Sequence, residues 1–529
     1  MLFYQKGTDC KMKIGFVNIY SFRPHVEHLN YLHELVQSDG HDTYFLTCDS
    51  SVSNCYARAI KGSGKIKECS QCILGGVRSY SVKNVTSISS EASSQVLSQN
   101  VLEELTLSSS CTLNRTESEV EWDDPSVTEV RRSLHEPVLT TYQASMQWIA
   151  DNKLDAVICF NGRMELTRAV TYACEQSGIP FITHERTWFG DGLNLIPNAN
   201  CLSIKALGVM TEEFDNKPLT DAQARFSAKL IALRFLQKNT LEWRLYNKDA
   251  ESIIWPEKSK GKKVLVLPSS KNEFAGHAEW KTGWLDNTSA LDDFFEAFSI
   301  NPDDVVVRFH PNWAETIGQV SGERALLHYT EWAVSHGIHF ISSEEKADTY
   351  DLIQQADIVV MNGGSSAIEA GACGKQVICL GPSSYDKGGF VRTFFSKADL
   401  YRSNALIDIN PELVIRKTLR YVYLRAKRIS QYVDFVKAIR TTEYEYFDGA
   451  DPSKIIDMLK SGRIEADDPS FSDDETEENS VIDALENKQW NLLASYETPN
   501  PDLTPLLIQR RVGLRWLDGF RSKLAKGDR

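Results

Sequence analysis

YDLIQQADIVVMNGGSSAIEAGACGKQVICLG, residues 350–381, reads as helix, strand, glycine turn, helix, strand. Leu352 and Ile353 give the first helix an apolar face. Residues 357–361 are a short, nearly continuous apolar run, the pattern of a parallel strand buried on both sides. Asn362, Gly363 and Gly364 break that strand, and Ser365 and Ser366 are placed to cap a helix from about Ala367. Gly374 closes the helix, and residues 376–380 are the next strand. A βαβ unit of this kind gathers backbone N–H groups and a helix N-terminus at the carboxyl end of a sheet, where an anion is stabilised. The plainer alternative is an ordinary crossover without a ligand.

Two other strand ends carry matching chemistry. Residues 304–309 form a buried strand that runs into His310, and Pro311 stops it. Arg308 and His310 alternate with apolar residues and are expected on one face near the tip, although a lone histidine there is more often structural. Residues 263–267 are a third strand, ending in Pro268-Ser269-Ser270-Lys271-Asn272-Glu273. Three tips bearing Ser269 and Ser270, Arg308 and His310, and Asn362-Gly363-Gly364-Ser365-Ser366 make a diphosphate or phosphosugar pocket in one α/β domain.

The strand-His-Pro element, followed downstream by G-G-S-S-x-x-E-A-x-x-x-G, resembles bacterial capsule and surface-polysaccharide glycosyltransferases. That group includes Kdo-transferase-like and capsule-export-linked enzymes of GT-B architecture. The resemblance covers residues 260–385 and, more weakly, 12–80 and 154–190. It implies an α/β protein of two Rossmann-like domains facing a cleft, with the nucleotide-sugar donor in the C-terminal one. Carried over by residue, it places His310, Ser365, Ser366 and Glu369 along the donor. The Gln-Pro element that some Kdo transferases carry before His-Pro is absent; Pro268-Ser269-Ser270 stands in its place, which argues against a Kdo donor. CMP-, UDP- and GDP-linked sugars stay open.

A chain of 529 residues accommodates two domains of ordinary size, and 42% hydrophobic with 25% charged residues is a globular composition. The net charge of −14 argues against nucleic acid as a partner, since phosphate recognition on that scale needs a basic face. No apolar run approaches the roughly 20 residues that span a bilayer, and residues 1–11 lack a signal-peptide core. With 11 cysteines and no secretion signal, the expected setting is the reducing cytoplasm, at the inner face of the cytoplasmic membrane if anything anchors it.

Along the chain, residues 12–250 are expected to form an N-terminal Rossmann-like acceptor domain and 256–460 the donor domain, joined by a hinge at 256–261. Cys48, Cys55, Cys69 and Cys72 cluster, the last pair as C-x-x-C, and fit either a structural zinc or free thiols. Residues 81–126 turn rich in Ser, Thr, Asn and Glu and read as a solvated surface insertion or a low-propensity helix. Residues 155–163 and 179–190 are strands with polar ends, so Asn161, Arg163, His184 and Trp188, with His25 from the first loop, are candidate acceptor ligands. A solvent-exposed salt-bridged loop is the plainer reading of His184-Glu185-Arg186. Residues 464–480 carry eight carboxylates in fourteen positions from Glu465 to Glu478 and read as a disordered acidic linker. Helices are expected in 481–529, and 503–526 forms a basic amphipathic one suited to anionic lipid or to a protein partner.

Sugar transfer needs a grip on the leaving phosphate and a proton acceptor for the acceptor hydroxyl. Arg308, His310 and the Ser365–Ser366 helix start supply the first, with His310 counted among the catalytic residues. Glu185 is the expected base, with Asp191 as its fallback. No D-x-D motif stands in a strand-loop context, so no cofactor beyond the nucleotide-sugar is expected. The rivals are a sugar-nucleotide epimerase of similar shape and a non-catalytic subunit of polysaccharide assembly or export.

Overall fold

Unalternating runs of Val, Ile and Leu demand burial on both faces, and the fold provides it twice. The computed structural model describes residues 11–90, 94–242, 249–403, 405–406, 408–498 and 501–519. The first sheet contains β1 (Lys13–Asn18), β2 (Asp42–Thr47), β3 (Val85–Ser87), β4 (Ala156–Phe160), β5 (Phe181–Arg186) and β6 (Leu193–Pro197), and it is joined by β15 (Ser430–Gln431). Its order is β15-β6-β5-β4-β1-β2-β3, with β1 to β5 parallel and β6 and β15 antiparallel to their neighbours.

The second sheet contains β7 (Val264–Leu267), β8 (Val305–Arg308), β11 (His339–Ile341), β12 (Ile358–Met361), β13 (Gln376–Leu380) and β14 (Val391–Phe394). It is parallel throughout, in the order β11-β8-β7-β12-β13-β14. Small antiparallel pieces complete the set: a hairpin of β9 (Thr316–Ile317) and β10 (Val320–Ser321), and a ribbon of β16 (Val436–Arg440), β17 (Glu443–Phe447) and β18 (Pro505–Leu506). Both large sheets have the doubly wound order, in which the first strand is central and the chain reverses beside it. The fold is therefore two Rossmann-like α/β domains facing a cleft, as the sequence led us to expect.

Alternate residues of each strand feed opposite cores. Leu265, Leu267, Val359 and Met361 enter one, and Val264, Val266, Ile358 and Val360 the other. The first sheet divides the same way, Val17 and Val157 on one side, Phe16 and Ile158 on the other. Packing does not follow two contiguous blocks of sequence. The helices Ile204–Phe214 and Asp221–Phe235 pack with Leu265 and Val359 of the second sheet. After the helix Pro411–Tyr423 and the π-helical turn Leu424–Ile429, the chain returns to the first sheet, where Tyr432, Tyr446 and Ile455 join Ile14 and Phe16.

Several stretches differ from their sequence reading. For the Ser-rich segment the helical alternative holds and the solvated insertion does not: Gln99–Asn114 is a 16-residue helix capped by Ser98, with Leu105, Ser108, Ser109, Ser110 and Cys111 buried. Small side chains let it lie close against the helix Glu165–Ser177, where Ser109 Oγ donates to Glu165. The hinge segment is pinned: Ser259 Oγ and the amides of Lys260 and Gly261 all donate to Asp304.

The acidic linker is ordered too. Glu478 is fully buried, with Arg420 donating through Nε and Nη2 (both 2.8 Å), Arg416 through Nη1 (3.0 Å) and Leu219 N (2.7 Å). Paired arginines thus repay the desolvation that kept this segment out of a folded reading.

Of the helix expected at 503–526, the described residues show only a 3-10 turn, Val512–Leu514, and a helical start at 516–519. Pro505–Leu506 adds to β17, and Arg510 is buried with Asp518 and the carbonyl of Leu74; positions 520–526 lie outside the described residues. Two helices do occur after 478, Asn479–Glu486 and Trp490–Ala494. No helix among the described residues is long and apolar enough to cross a membrane.

Replacing Glu478 by Ala removes the buried carboxylate that Arg416 and Arg420 share, leaving them Glu412 and Glu475, and deprives the Leu219 amide of its acceptor. The expected cost is about 3–5 kcal/mol, read as a lower urea midpoint with an unchanged slope.

Candidate active site

In an open parallel sheet a ligand sits beyond the carboxyl ends of the strands, where the order reverses. The reversals here lie between β1 and β4 and between β7 and β12. Loops leaving the two regions meet. Cys201 N donates to Asn161 O (2.9 Å) at the β4 end, and nearby Asn200 lies 3.4 Å from His277 Nδ1 in the loop after β7. Trp280 Nε1 donates to Leu202 O (2.8 Å), and Ser203 Oγ donates to Glu279 (3.1 Å).

On the first sheet the structure brings His25, Asn161 and Glu185 together. Asn161 Nδ2 donates to Glu185 Oε2 (3.0 Å), Arg186 N donates to Oε1 (2.9 Å), and His25 Nε2 lies 3.3 Å from Oε1. Burial, then Arg186 and His184, push His25 well below 6.5, so the ring that faces Glu185 is the neutral imidazole. His184 is buried with neither ring nitrogen bonded, and burial pushes it down to about 4. It backs His25 at a ring distance of 6.2 Å.

Arg163 donates to Ser108 Oγ and Thr112 Oγ1 of the Gln99–Asn114 helix (3.1 Å each), and its Nε is unpartnered. Burial opposes its charge, but Glu273, Tyr56, Cys201 and Glu185 more than offset that and raise its pKa. Trp188 sits apart from this group, stacked on Phe189 with Arg234 and Arg425 over its ring. Asp191 is committed to Lys437 (3.1 Å) and to the amide of Ala438 (3.0 Å).

On the second sheet the tips of β7 and β12 lock together. Ser269 N donates to Asn362 Oδ1 (2.7 Å), and Asn362 Nδ2 donates to Ser269 O (3.2 Å). Gly363 has φ +107, which favours glycine, and a Cβ on Gly364 would fall 2.3 Å from Ser269 Oγ, so a side chain there would make that hydroxyl turn away. Ser365 is exposed at the start of the helix Ala367–Ala372, and Ser366 makes no side-chain capping bond, contrary to the capping role expected of the pair. His310 follows β8, where its Nδ1 accepts from Asn312 N (3.2 Å). Arg308 does not stand beside it as a free cation: its guanidinium donates to the carbonyls of Ser342 and Glu345 (2.7 Å to the latter). Glu369 is fully buried and paired with Arg234, which also holds Glu242 at 2.7 Å.

Three residues that carried no assignment in the sequence prove central. Arg115 donates to the carbonyls of Asn312 (2.7 Å) and Glu315. Two residues later, Glu117 accepts from Ser270 Oγ and from Lys271 N, each at 2.6 Å. A carboxylate from the Ser-rich segment thus occupies the turn after β7. Lys271 itself has no hydrogen-bond or ion-pair partner for its ammonium among the described residues; burial lowers its pKa, and Trp280 lies 5.9 Å away. The signal for Arg115 and Glu117 was masked by serine-rich composition, whereas Lys271 stood in plain view within the Ser269–Glu273 run.

The zinc alternative for the cysteine cluster finds no support. No group of three or more metal-ligating side chains is gathered among the described residues, and Cys72 donates instead to Ser21 Oγ (3.4 Å). Burial raises the Cys48 thiol to about 11, the opposite of what a metal ligand needs.

No family model matches the chain, and no curated protein does. Solved structures with a similar chain trace include the β-Kdo 2,4 transferase of Thermosulfurimonas dismutans KpsC. It is 13% identical, with 62% of this chain and 87% of that one covered, at a TM-score of 0.32. A putative UDP-N-acetylglucosamine 2-epimerase from Listeria monocytogenes is 12% identical, covering 86% and 96%, at 0.25. A UDP-GlcNAc 2-epimerase from Neisseria meningitidis bound to UDP-GlcNAc is 13% identical, covering 74% and 90%, at 0.24. The assignment to two Rossmann-like domains rests on the strand orders above.

Burial raises Glu117 to about 7 in the folded state. Between about pH 4.5 and 7 the folded protein therefore binds more protons here than the unfolded chain, and this group makes stability fall as pH rises through that window. Glu117→Gln removes the titration. The variant's stability relative to wild type is expected to rise by about 1–3 kcal/mol from pH 4.5 to pH 8, as read from urea midpoints; a flat difference contradicts the assignment.

Proposed function

We propose that the chain is a glycosyltransferase that moves a sugar from a nucleotide-sugar to a surface glycan or glycolipid acceptor. The observation that carries this reading is the pairing of two switch-point crevices across one cleft. One bears Glu185 with its hydrogen-bonded Asn161 and His25 at 3.3 Å, the other the Ser269–Asn362 lock and the exposed Ser365 start of a helix. Glu185 removes the proton from the acceptor hydroxyl, whose oxygen bonds to the anomeric carbon as the bond from that carbon to the phosphate oxygen breaks. His310 and the amides at Gly364–Ser366 receive the negative charge that builds on the leaving nucleotide. The reaction draws on no cofactor beyond the nucleotide-sugar. Exposed Leu507, Val512 and Trp516 beside Arg511 and Arg515 support contact with an anionic lipid surface that carries the acceptor.

The test has two stages. Thermal stabilisation is measured against CMP-, UDP-, GDP- and dTDP-sugars, where a selective hit lost in His310→Ala names the donor class. With that donor, Glu185→Gln is expected to lower kcat about 10²–10⁴-fold while nucleotide affinity holds. Nucleotide release that requires an added acceptor separates transfer from epimerisation, which proceeds without one. No shift with any nucleotide shifts the weight to a non-catalytic assembly or export subunit.

A further inference from the structure

A cavity of about 480 Å³ lies between the Ser-rich segment of the first domain and the tips of β7 and β13. Its volume falls in the range of about 300–1,000 Å³ usual for small-ligand sites. None of the acceptor-ligand candidates read from the sequence lines it. Trp122 comes from the first domain, Trp280 and Trp284 from the second. The indole nitrogens of Trp280 and Trp284 are spent on Leu202 O and Asp293 (2.8 Å each), which fixes both rings. Trp280 is held further by stacking on Phe274 at 3.8 Å.

The polar lining has two parts. Near the floor stand Lys271, whose ammonium is unpartnered among the described residues, and the Glu117 carboxylate clamped on the Ser270–Lys271 turn. Around the mouth stand Glu103, Glu104 and Glu119, with Arg131 taken up by Glu103 at 3.2 Å. Carboxylates outnumber cations along this lining. A diphosphate would meet repulsion there, whereas hydroxyl groups would meet acceptors. Rigid indole faces next to carboxylates and the ammonium groups of Lys271 and Lys281 suit a pyranose, which has an apolar face of C–H bonds and an edge of hydroxyls.

We propose that this cavity is a binding site for an uncharged sugar ring, stacked on the indoles with its hydroxyls on Lys271 and the carboxylates. It is separate from the Glu185 cluster and adjoins the second crevice, with Ser269 and Asn362 lining both. In the transfer reading, on which this last clause rests, it holds a sugar unit of the acceptor glycan. The binding site itself stands on its lining alone.

The test titrates the full chain with methyl glucoside, methyl galactoside, methyl N-acetylglucosaminide and free UDP, following tryptophan fluorescence and saturation-transfer NMR. A saturable response to at least one glycoside is expected, weakened about tenfold or more in both Trp122→Ala and Lys271→Met. Both variants are checked for an unchanged urea midpoint, and Trp122→Phe is expected to restore most of the glycoside response. UDP binding, if present, is expected to survive Trp122→Ala. No response to any glycoside at tens of millimolar overturns the site, as does a response that neither variant alters. UDP binding lost in Trp122→Ala overturns it too, because the cavity is then the nucleotide's. Failure of the donor panel leaves these readouts intact, so the two readings fail separately.

Discussion

A parallel strand covered on both faces can show chemistry only beyond its carboxyl end, and the rest of this molecule is arranged by that constraint. Between Val264 and Leu267, or Ile358 and Met361, every side chain is needed by one core or the other. Polar residues appear within two positions of the strand ends: Asn161 after β4, Ser269 after β7, Asn362 after β12. These groups are also neighbours, since strand order brings the tips together before any side chain has formed a bond. Hydrogen bonds such as Ser269 N to Asn362 Oδ1 then fix what topology has already gathered.

The segment that joins the two crevices obeys different rules. Gln99–Asn114 is rich in residues with indifferent helix propensity, and its stability comes from what those residues do when buried. Ser109 satisfies the buried Glu165, which also accepts from Tyr20 and from Tyr56 N. Ser108 and Thr112 satisfy Arg163, and Ser108 Oγ also donates to Glu273 O of the second domain. A larger or purely apolar side chain at 108 or 109 would strand a buried charge. The serines that look like a solvated loop in the sequence are the counter-groups of a polar core.

This explains which parts of the architecture could be read from the chain. Apolar runs and glycine turns report the sheets directly, and β7, β8, β12 and β13 stand where periodicity places them. Segments stabilised by paired charges report the opposite of their state. Glu478 and its neighbours look disordered because charge density is read one residue at a time, whereas Arg416 and Arg420 lie far away in sequence. The site divides in the same manner. The position of a residue near a strand's carboxyl end, such as Glu185 in β5, is legible from the strand pattern. The commitment of Arg308 to two distant carbonyls, and the arrival of Glu117 at Ser270, depend on tertiary contacts with no local signature.

Connectivity limits how the cleft can move. The second core takes in the helices at 204–235, whereas the first core takes in Tyr432, Val436 and Ile455 from beyond the π-helical turn. The chain therefore passes between the cores near 197–204, at 429–430, between 461 and 464 and again between 496 and 505. The 256–261 stretch is not one of these passages, because Asp304 ties it to the second domain. Any rotation of one sheet against the other has to bend the passages together. It also has to part the Arg115 bonds to Asn312 and Glu315 and the Glu117 bonds to Ser270 and Lys271. In the described conformation a cation and a carboxylate two residues apart, Arg115 and Glu117, tie the Ser-rich segment to the loops after β8 and β7. Because that carboxylate is buried, protonation near neutral pH changes the charge of this tie while its two donors stay in place.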